Sequence, residues 1–117
     1  MSINSAFQAM GKTYKANATT SSQTITVTAD APCTKLCVAN HQPTGSGGQP
    51  VYFLVSSNAS VTVSLPANAS PTYCLVSIPG TTKVYQIPGQ VSASSSIYIA
   101  FIGEAASECY FTPGEGL

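Results

Sequence analysis

Charged residues are scarce in this chain of 117 amino acids. They make up 7% of its residues, against about 25% in an average soluble domain, and four lysines without any arginine balance four acidic residues. A net charge of zero excludes the electrostatic attraction on which nucleic acids and anionic lipid surfaces depend. It also gives little protection against self-association, which favours a protein that works inside an assembly.

Long apolar runs and helical patterns are missing as well. No run approaches the ~18 apolar residues that suggest a membrane span, and the N-terminus lacks the basic start and apolar core of a signal peptide. We therefore expect neither export nor a membrane partner. No window shows the 3.6-residue period of an amphipathic helix, and strands do not alternate with helices, which excludes a parallel α/β sheet.

Residues suited to acid/base catalysis are few. His41 is the single histidine, and the acidic residues lie apart at Asp30, Glu104, Glu108 and Glu115. A catalytic triad or a general acid/base pair has few members to draw on here. We interpret His41 as a solvated loop residue, and Glu104 and Glu108 as charges that mark the exposed turn of a hairpin. We predict no catalytic residue, no cofactor-binding residue and no metal ligand, and therefore no enzyme.

The four cysteines are Cys33, Cys37, Cys74 and Cys109. In an extended strand the first two lie ~13 Å apart, beyond the Cα separation of a disulfide. No two cysteines show the close spacing of a zinc finger. We favour buried free thiols that act as small apolar side chains, with a cross-strand disulfide or a metal site as the alternatives.

Serine and threonine are abundant, with 29 of the 117 residues, and threonine suits the exposed face of a pleated sheet. Residues 24–28 alternate so that Ile25 and Val27 share one face, which predicts a half-buried antiparallel strand. Residues 97–102 form an almost continuous apolar run, which predicts a strand buried on both faces. The last strand resumes at Cys109, and we expect Pro113 to end it.

Further strands are predicted at residues 11–17, 35–40, 51–55, 61–65, 73–78 and 83–87. Pro79-Gly80 and Pro88-Gly89 favour type II turns that close the last two of these, and residues 41–50 predict an exposed, mobile loop. Strands that recur about every 8 to 12 residues are typical of a sandwich or barrel.

We therefore predict an all-β fold, a single antiparallel β-sandwich of about eight short strands with a jelly-roll or related Greek-key topology. The sandwich domain covers residues 11–117, and residues 1–10 form a flexible N-terminal arm. Most aromatic residues lie inside the apolar runs, so we interpret them as core residues and not as a platform for sugars or nucleotides. These residues are Tyr52, Phe53, Tyr98, Phe101, Tyr110 and Phe111.

Five segments follow one another in a recognisable order: KLCVAN, PVYFLV, KVYQIPG, SIYIAFIG and YFTPGEGL. In their order and spacing the sequence resembles the small β-sandwich virion proteins encoded near the major capsid protein in many tailed bacteriophages. The sharpest part of the likeness is TPGEG at residues 112–116. The four cysteines and the glycine-rich loop at residues 44–48 depart from the family pattern, which leaves room for contacts specific to this chain.

The resemblance implies a non-enzymatic capsid decoration or cement protein that binds the major capsid protein lattice and stabilises the head. It also implies a homo-oligomer, a dimer or trimer, on the capsid surface of the virion after synthesis in the host cytoplasm. A neck, tail or host-surface binding module of the virion is the alternative. Because an arm can add a strand to a neighbour, we expect deletion of residues 1–10 to weaken association and to leave the sandwich folded.

Overall fold

The computed structural model describes residues 7–41 and 49–116, apart from the side chain of His41. Across these residues the chain forms nine β-strands and no helix. The strands are β1 (Gln8–Ala9), β2 (Tyr14–Ala18), β3 (Gln23–Val27), β4 (Cys33–His41), β5 (Val51–Ser56), β6 (Leu75–Ser77), β7 (Thr82–Val91), β8 (Ile97–Gly103) and β9 (Ser107–Glu115). The all-β prediction is confirmed.

The strands form two antiparallel sheets with the order of a jelly roll. The first sheet has the order β1-β9-β4-β7, with β2 also paired to β9, and the second has the order β3-β8-β5-β6. Four antiparallel pairings are nested one inside the other, as in a single long hairpin: β2 with β9, β3 with β8, β4 with β7, and β5 with β6. Wrapping this hairpin brings β4 beside β9 and β5 beside β8. The sandwich prediction is confirmed, and of the two topologies left open the order is that of the jelly roll.

Three aromatic rings join the sheets in the middle of the core. Phe53 on β5 and Phe111 on β9 are fully buried, and their ring centroids lie 5.6 Å apart in an edge-to-face arrangement. Tyr85 on β7 packs edge-on against Phe53 at 5.3 Å. Edge-to-face pairs place the positive ring edge on the negative ring face. These contacts therefore stabilise the core beyond the effect of burying the apolar area of the rings.

Strand β8 is buried on both faces, as its apolar run predicts. Ile97, Ile99 and Phe101 face the main core between the sheets. Ala100 and Ile102 face the other way and are buried in a second cluster. A strand with apolar neighbours on both sides has no exposed face on which polar residues would alternate, which explains the continuous run.

The second cluster is closed by residues 57–74, which cover the outer face of the second sheet. Val63 is buried there, and Val61 and Leu65 pack against it. The strand predicted at residues 61–65 is wrong, because this segment belongs to no strand. The alternation of apolar and polar residues has another cause. Any extended segment that packs one of its faces against a sheet shows the same two-residue period.

Polar side chains hold this cover along the edge at β3. Thr24 Oγ1 donates a hydrogen bond to the Val61 carbonyl at 3.2 Å, and Ser22 Oγ accepts one from the Val63 N–H at 3.2 Å. The cover is therefore fixed by side chains where a regular strand would be fixed by a ladder of backbone bonds.

Pro113 does not end β9, contrary to the prediction. It pairs with Leu36 of β4 inside the strand, and its carbonyl accepts a hydrogen bond of 2.9 Å from the Met10 N–H. The N and O atoms of one residue point to the same side of a strand, so the proline nitrogen faces away from β4. It points to the gap where residues 10–13 connect β1 to β2, and no ladder bond to β4 is lost.

Pro88-Gly89 does not end a strand either. It lies inside β7, where Cys33 of β4 pairs with Val91 and Lys35 pairs with Gln86, so residues 87–90 form a bulge. Gly89 has a φ of 89°, which a bulge needs and which other residues adopt only with strain. Pro79-Gly80 does form the predicted turn, with Gly80 at a φ of 77°.

The predicted arm and the predicted loop are described only in part. Residues 1–6 of the arm and residues 42–48 of the loop lie outside the described residues. Residues 7–10 of the arm lie on the first sheet, where Ala9 pairs with Gly114 and Met10 packs against the core. His41 is the last residue of β4, opposite Glu108, so the connection to β5 begins one residue later than predicted.

Candidate interaction surface

Four large apolar side chains are exposed in one short region. Tyr73 is 90% exposed, Leu75 42%, Val76 41% and Ile78 48%. We call these four residues the apolar strip. The strip follows β6, which is an edge strand of the second sheet, and continues into the turn toward β7. Contiguous exposed apolar side chains mark surfaces that bind other molecules.

The position of β6 at the sheet edge exposes the strip. The strand pairs on one side with β5 through Val51–Ser77, Tyr52–Val76 and Phe53–Leu75. Successive side chains of a strand point to opposite faces, so Leu75 and Val76 present apolar groups on both faces at this edge. Ser77 points inward and is buried.

The other three sheet edges expose polar side chains. Strand β2 exposes Lys15 and Asn17, and β3 exposes Thr24 and Thr26. Strand β7 exposes Lys83 and contains the Pro88-Gly89 bulge. Charges, prolines and bulges are the devices by which natural sheets protect their edges. Strand β6 has three residues, and its two exposed side chains, Leu75 and Val76, are apolar.

A shallow groove of about 380 Å³ lies next to the strip on the outer face of the second sheet. Its lining is uncharged and consists of Leu54, Thr62, Val63, Ser64, Pro71, Thr72 and Tyr73. Thr72 Oγ1 donates a hydrogen bond of 2.8 Å to the Ser64 carbonyl, so part of its polarity is already used within the chain. The groove extends the strip with neutral surface.

A buried polar cluster lies behind the strip. Asn40, Ser77 and Ser107 are the buried polar residues of the described chain. The amide of Asn40 donates to the Ser77 carbonyl at 2.8 Å and to the Gln49 carbonyl at 3.1 Å. Ser107 Oγ donates to the same Gln49 carbonyl at 3.1 Å. The cluster thereby ties β4, β6 and β9 to the start of β5.

The main chain of Asn40 holds the turn that carries Ile78. Its N–H donates to the Thr81 carbonyl at 3.0 Å, and its carbonyl accepts from the Gly80 N–H at 3.0 Å. Asn40 therefore fixes both ends of residues 77–81 and with them one end of the strip. Asn40 was not among the predicted functional residues, although an asparagine that shares the inward face of a strand with Leu36 and Val38 is a signal for a buried amide.

All four cysteines are free thiols, and Cys33 and Cys109 are buried. Burial raises the pKa of Cys109 from 9.0 to about 11, although hydrogen bonds to the Ser77 side chain and the Tyr110 backbone lower it in part. Burial and the charge of Glu115 raise the pKa of Cys33. The interpretation as buried free thiols is confirmed for these two, while Cys37 and Cys74 are half-exposed.

The three glutamates have structural partners. Tyr52 donates to Glu104 at 3.2 Å, Lys15 lies 3.4 Å from Glu108, and the Thr34 N–H donates to Glu115 at 2.6 Å. Glu104 lies in the exposed turn as predicted, whereas Glu108 lies within β9. No group of three or more His, Cys, Asp or Glu residues that could hold a metal ion occurs in residues 7–41 and 49–116.

Comparisons with family models, with curated proteins and with solved structures find no match to this chain. No helix among the described residues is long and apolar enough to cross a membrane. Jelly rolls serve unrelated functions in different proteins, so a function for this chain is argued from the chemistry of its surface.

We predict that Asn40→Ala destabilises the fold. The substitution leaves the Ser77 and Gln49 carbonyls with fewer donors in a buried site, which lowers the free energy of unfolding by about 1–3 kcal/mol. Urea unfolding measures the change. Asn17→Ala, at an exposed asparagine of β2, is the matched control and should stay within about 0.5 kcal/mol of the wild type. Equal effects of the two substitutions would contradict the role of Asn40.

Titration of Cys109 makes stability depend on alkaline pH. The folded thiol has a pKa of about 11 against 9.0 for an ordinary thiol, so the folded protein holds this proton more tightly. The stabilisation is complete below pH 9 and is lost as the pH rises toward 11, by about 2–3 kcal/mol. Urea unfolding between pH 8 and 11 should therefore show a shallower decline for Cys109→Ala than for the wild type, and identical slopes would disprove the assignment.

Proposed function

We propose that this chain is a non-enzymatic structural protein of a bacteriophage virion, a capsid decoration or cement protein that binds the major capsid protein lattice and stabilises the head. The observation that carries this proposal is the apolar strip, an uncharged surface at the sheet edge formed by β6, where four large apolar side chains are exposed. The resemblance of the sequence to virion proteins supports the choice of partner.

The chemistry of the strip selects the kind of partner surface. Its side chains are neutral and the protein has a net charge of zero, so a strongly charged partner gains nothing from it. An apolar, uncharged surface of a shell protein complements it by removing both apolar surfaces from water. The absence of long-range charge steering also predicts that binding responds little to salt.

The size of the strip fits a lattice. A standard protein interface uses about 20–30 residues from each partner, so four side chains and a shallow groove make a weak contact on their own. When copies sit side by side on a repeating shell, each further contact is made at high effective concentration, and weak contacts add up to firm attachment. Such a protein stabilises the shell by bridging neighbouring subunits.

Quantitative mass spectrometry of purified particles tests the proposal. We expect copies of this protein relative to the major capsid protein at a ratio near one or at a simple lattice fraction, because a cement protein covers the whole shell. A handful of copies per particle would move the protein to the neck or tail. Its absence from particles would contradict a structural role in the virion.

Substitutions in the strip test which surface makes the contact. We expect Tyr73→Ala combined with Val76→Thr to reduce the number of copies bound per particle by roughly tenfold or more at a fixed protein concentration, because both changes remove exposed apolar area. Thr26→Ala, on the edge strand β3, is the control and should bind like the wild type. Thermal unfolding verifies that all variants are folded. Wild-type binding by the double variant would exclude the strip as the contact surface.

A further inference from the structure

The TPGEG segment at residues 112–116 forms a seat for the N-terminal segment of the chain. We call residues 112–115 the N-terminal seat. The contacts are a hydrogen bond of 2.8 Å between Thr112 Oγ1 and Thr13 Oγ1, one of 2.9 Å from the Met10 N–H to the Pro113 carbonyl, and the pairings Ala9–Gly114 and Gln8–Glu115. Residues 112 to 115 each meet a partner from residues 8–13.

Glycine at position 114 gives the seat its shape. A methyl group there would overlap the Gln8 carbonyl oxygen and lie 2.5 Å from Cζ of Phe7. The backbone of the N-terminal segment and the Phe7 ring thus lie directly on the Gly114 backbone, an approach that a residue with a side chain forbids.

The seat is held in place independently of its occupant. On their other edge, Pro113 and Gly114 pair with Leu36 and Lys35 of β4. The Glu115 carboxylate accepts hydrogen bonds from the Thr34 N–H at 2.6 Å and from Thr34 Oγ1 at 3.1 Å. These bonds do not involve residues 7–10, so they are still available to hold the seat after the segment leaves it.

The N-terminal segment belongs to a much shorter strand than the seat, with two residues in β1 against nine in β9. Strand β1 has two residues, and the side chains of Gln8 and Ala9 are exposed. Residues 10–13 connect it to β2 outside any strand, with Gly11 close to Pro113 and Ala29. Met10 is the main anchor, through its packing on the core and its carbonyl, which accepts a hydrogen bond of 2.7 Å from the Asp30 N–H. Short terminal elements with few bonds open at low cost.

We propose that the N-terminal seat takes residues 7–10 of a second copy of this chain, with residues 11–13 as the hinge. Exchange preserves every contact that residues 7–10 make with the seat, because both copies have the same sequence. Exchange loses the high effective concentration that a segment has near the seat of its own chain. Close neighbours on a shell restore a high effective concentration of segments. The inference rests on the proposed function only for that supply of neighbours, since seat and exchange are both properties of the purified protein.

Complementation between two full-length variants tests the exchange. Gly114→Val blocks the seat and keeps the segment, whereas Phe7→Asp disables the segment and keeps the seat. We expect each variant alone to self-associate at least ~10-fold more weakly than the wild type, as is typical when close packing is disrupted. An equimolar mixture should form a complex of one copy of each, which native mass spectrometry recognises by its mass.

Gln8→Ala is the matched control, because its side chain is exposed while its backbone makes the contact with Gly114. It should associate like the wild type. Wild-type association by Phe7→Asp would overturn the exchange, and so would the lack of any wild-type complex up to about 1 mM, the effective concentration of closely tethered neighbours. If Gly114→Val does not fold, the comparison of self-association between Phe7→Asp and Gln8→Ala still tests the exchange. If the purified protein exchanges segments but is absent from particles, only the proposed function is contradicted.

Discussion

The pairing of β9 with β4 is the interaction on which the rest of the structure depends. It runs through seven residue pairs, from Lys35–Gly114 to His41–Glu108. The same strand pairs on its other edge with β1 and β2, and it carries Phe111 into the centre of the core. Because β9 is an inner strand of the first sheet and follows the other eight described strands in the chain, the first sheet closes only when β9 is in place.

Scarce charge acts on this fold in two ways. Serine and threonine replace much of the missing charge, and two of the four lysines, Lys15 and Lys83, lie exposed on edge strands. The edge at β6 is left apolar. A neutral protein with an apolar surface at one sheet edge favours docking at that edge, and this preference is the physical basis of the proposed role in an assembly.

The sequence predicts the fold class because two-residue periods and apolar runs report directly on which faces are buried, as β3 and β8 show. The prediction fails where one pattern has two possible causes. Residues 61–65 alternate because they cover a sheet face and not because they form a strand. Pro113 lies inside a strand because its nitrogen faces a gap in the neighbouring pairing. The apolar strip was not predictable. Tyr73 and Val76 look like core residues until the order of the strands places β6 at an edge.

The doubly buried strand β8 has a consequence for the synthesis of the protein. An apolar run such as residues 97–102, free of charge and proline, has the composition of segments that stack into amyloid when exposed. Its neighbours β3 and β5 and its cover at residues 57–74 all precede it in the chain. On the ribosome they are therefore made first, and the most aggregation-prone strand emerges when the surfaces that bury it already exist.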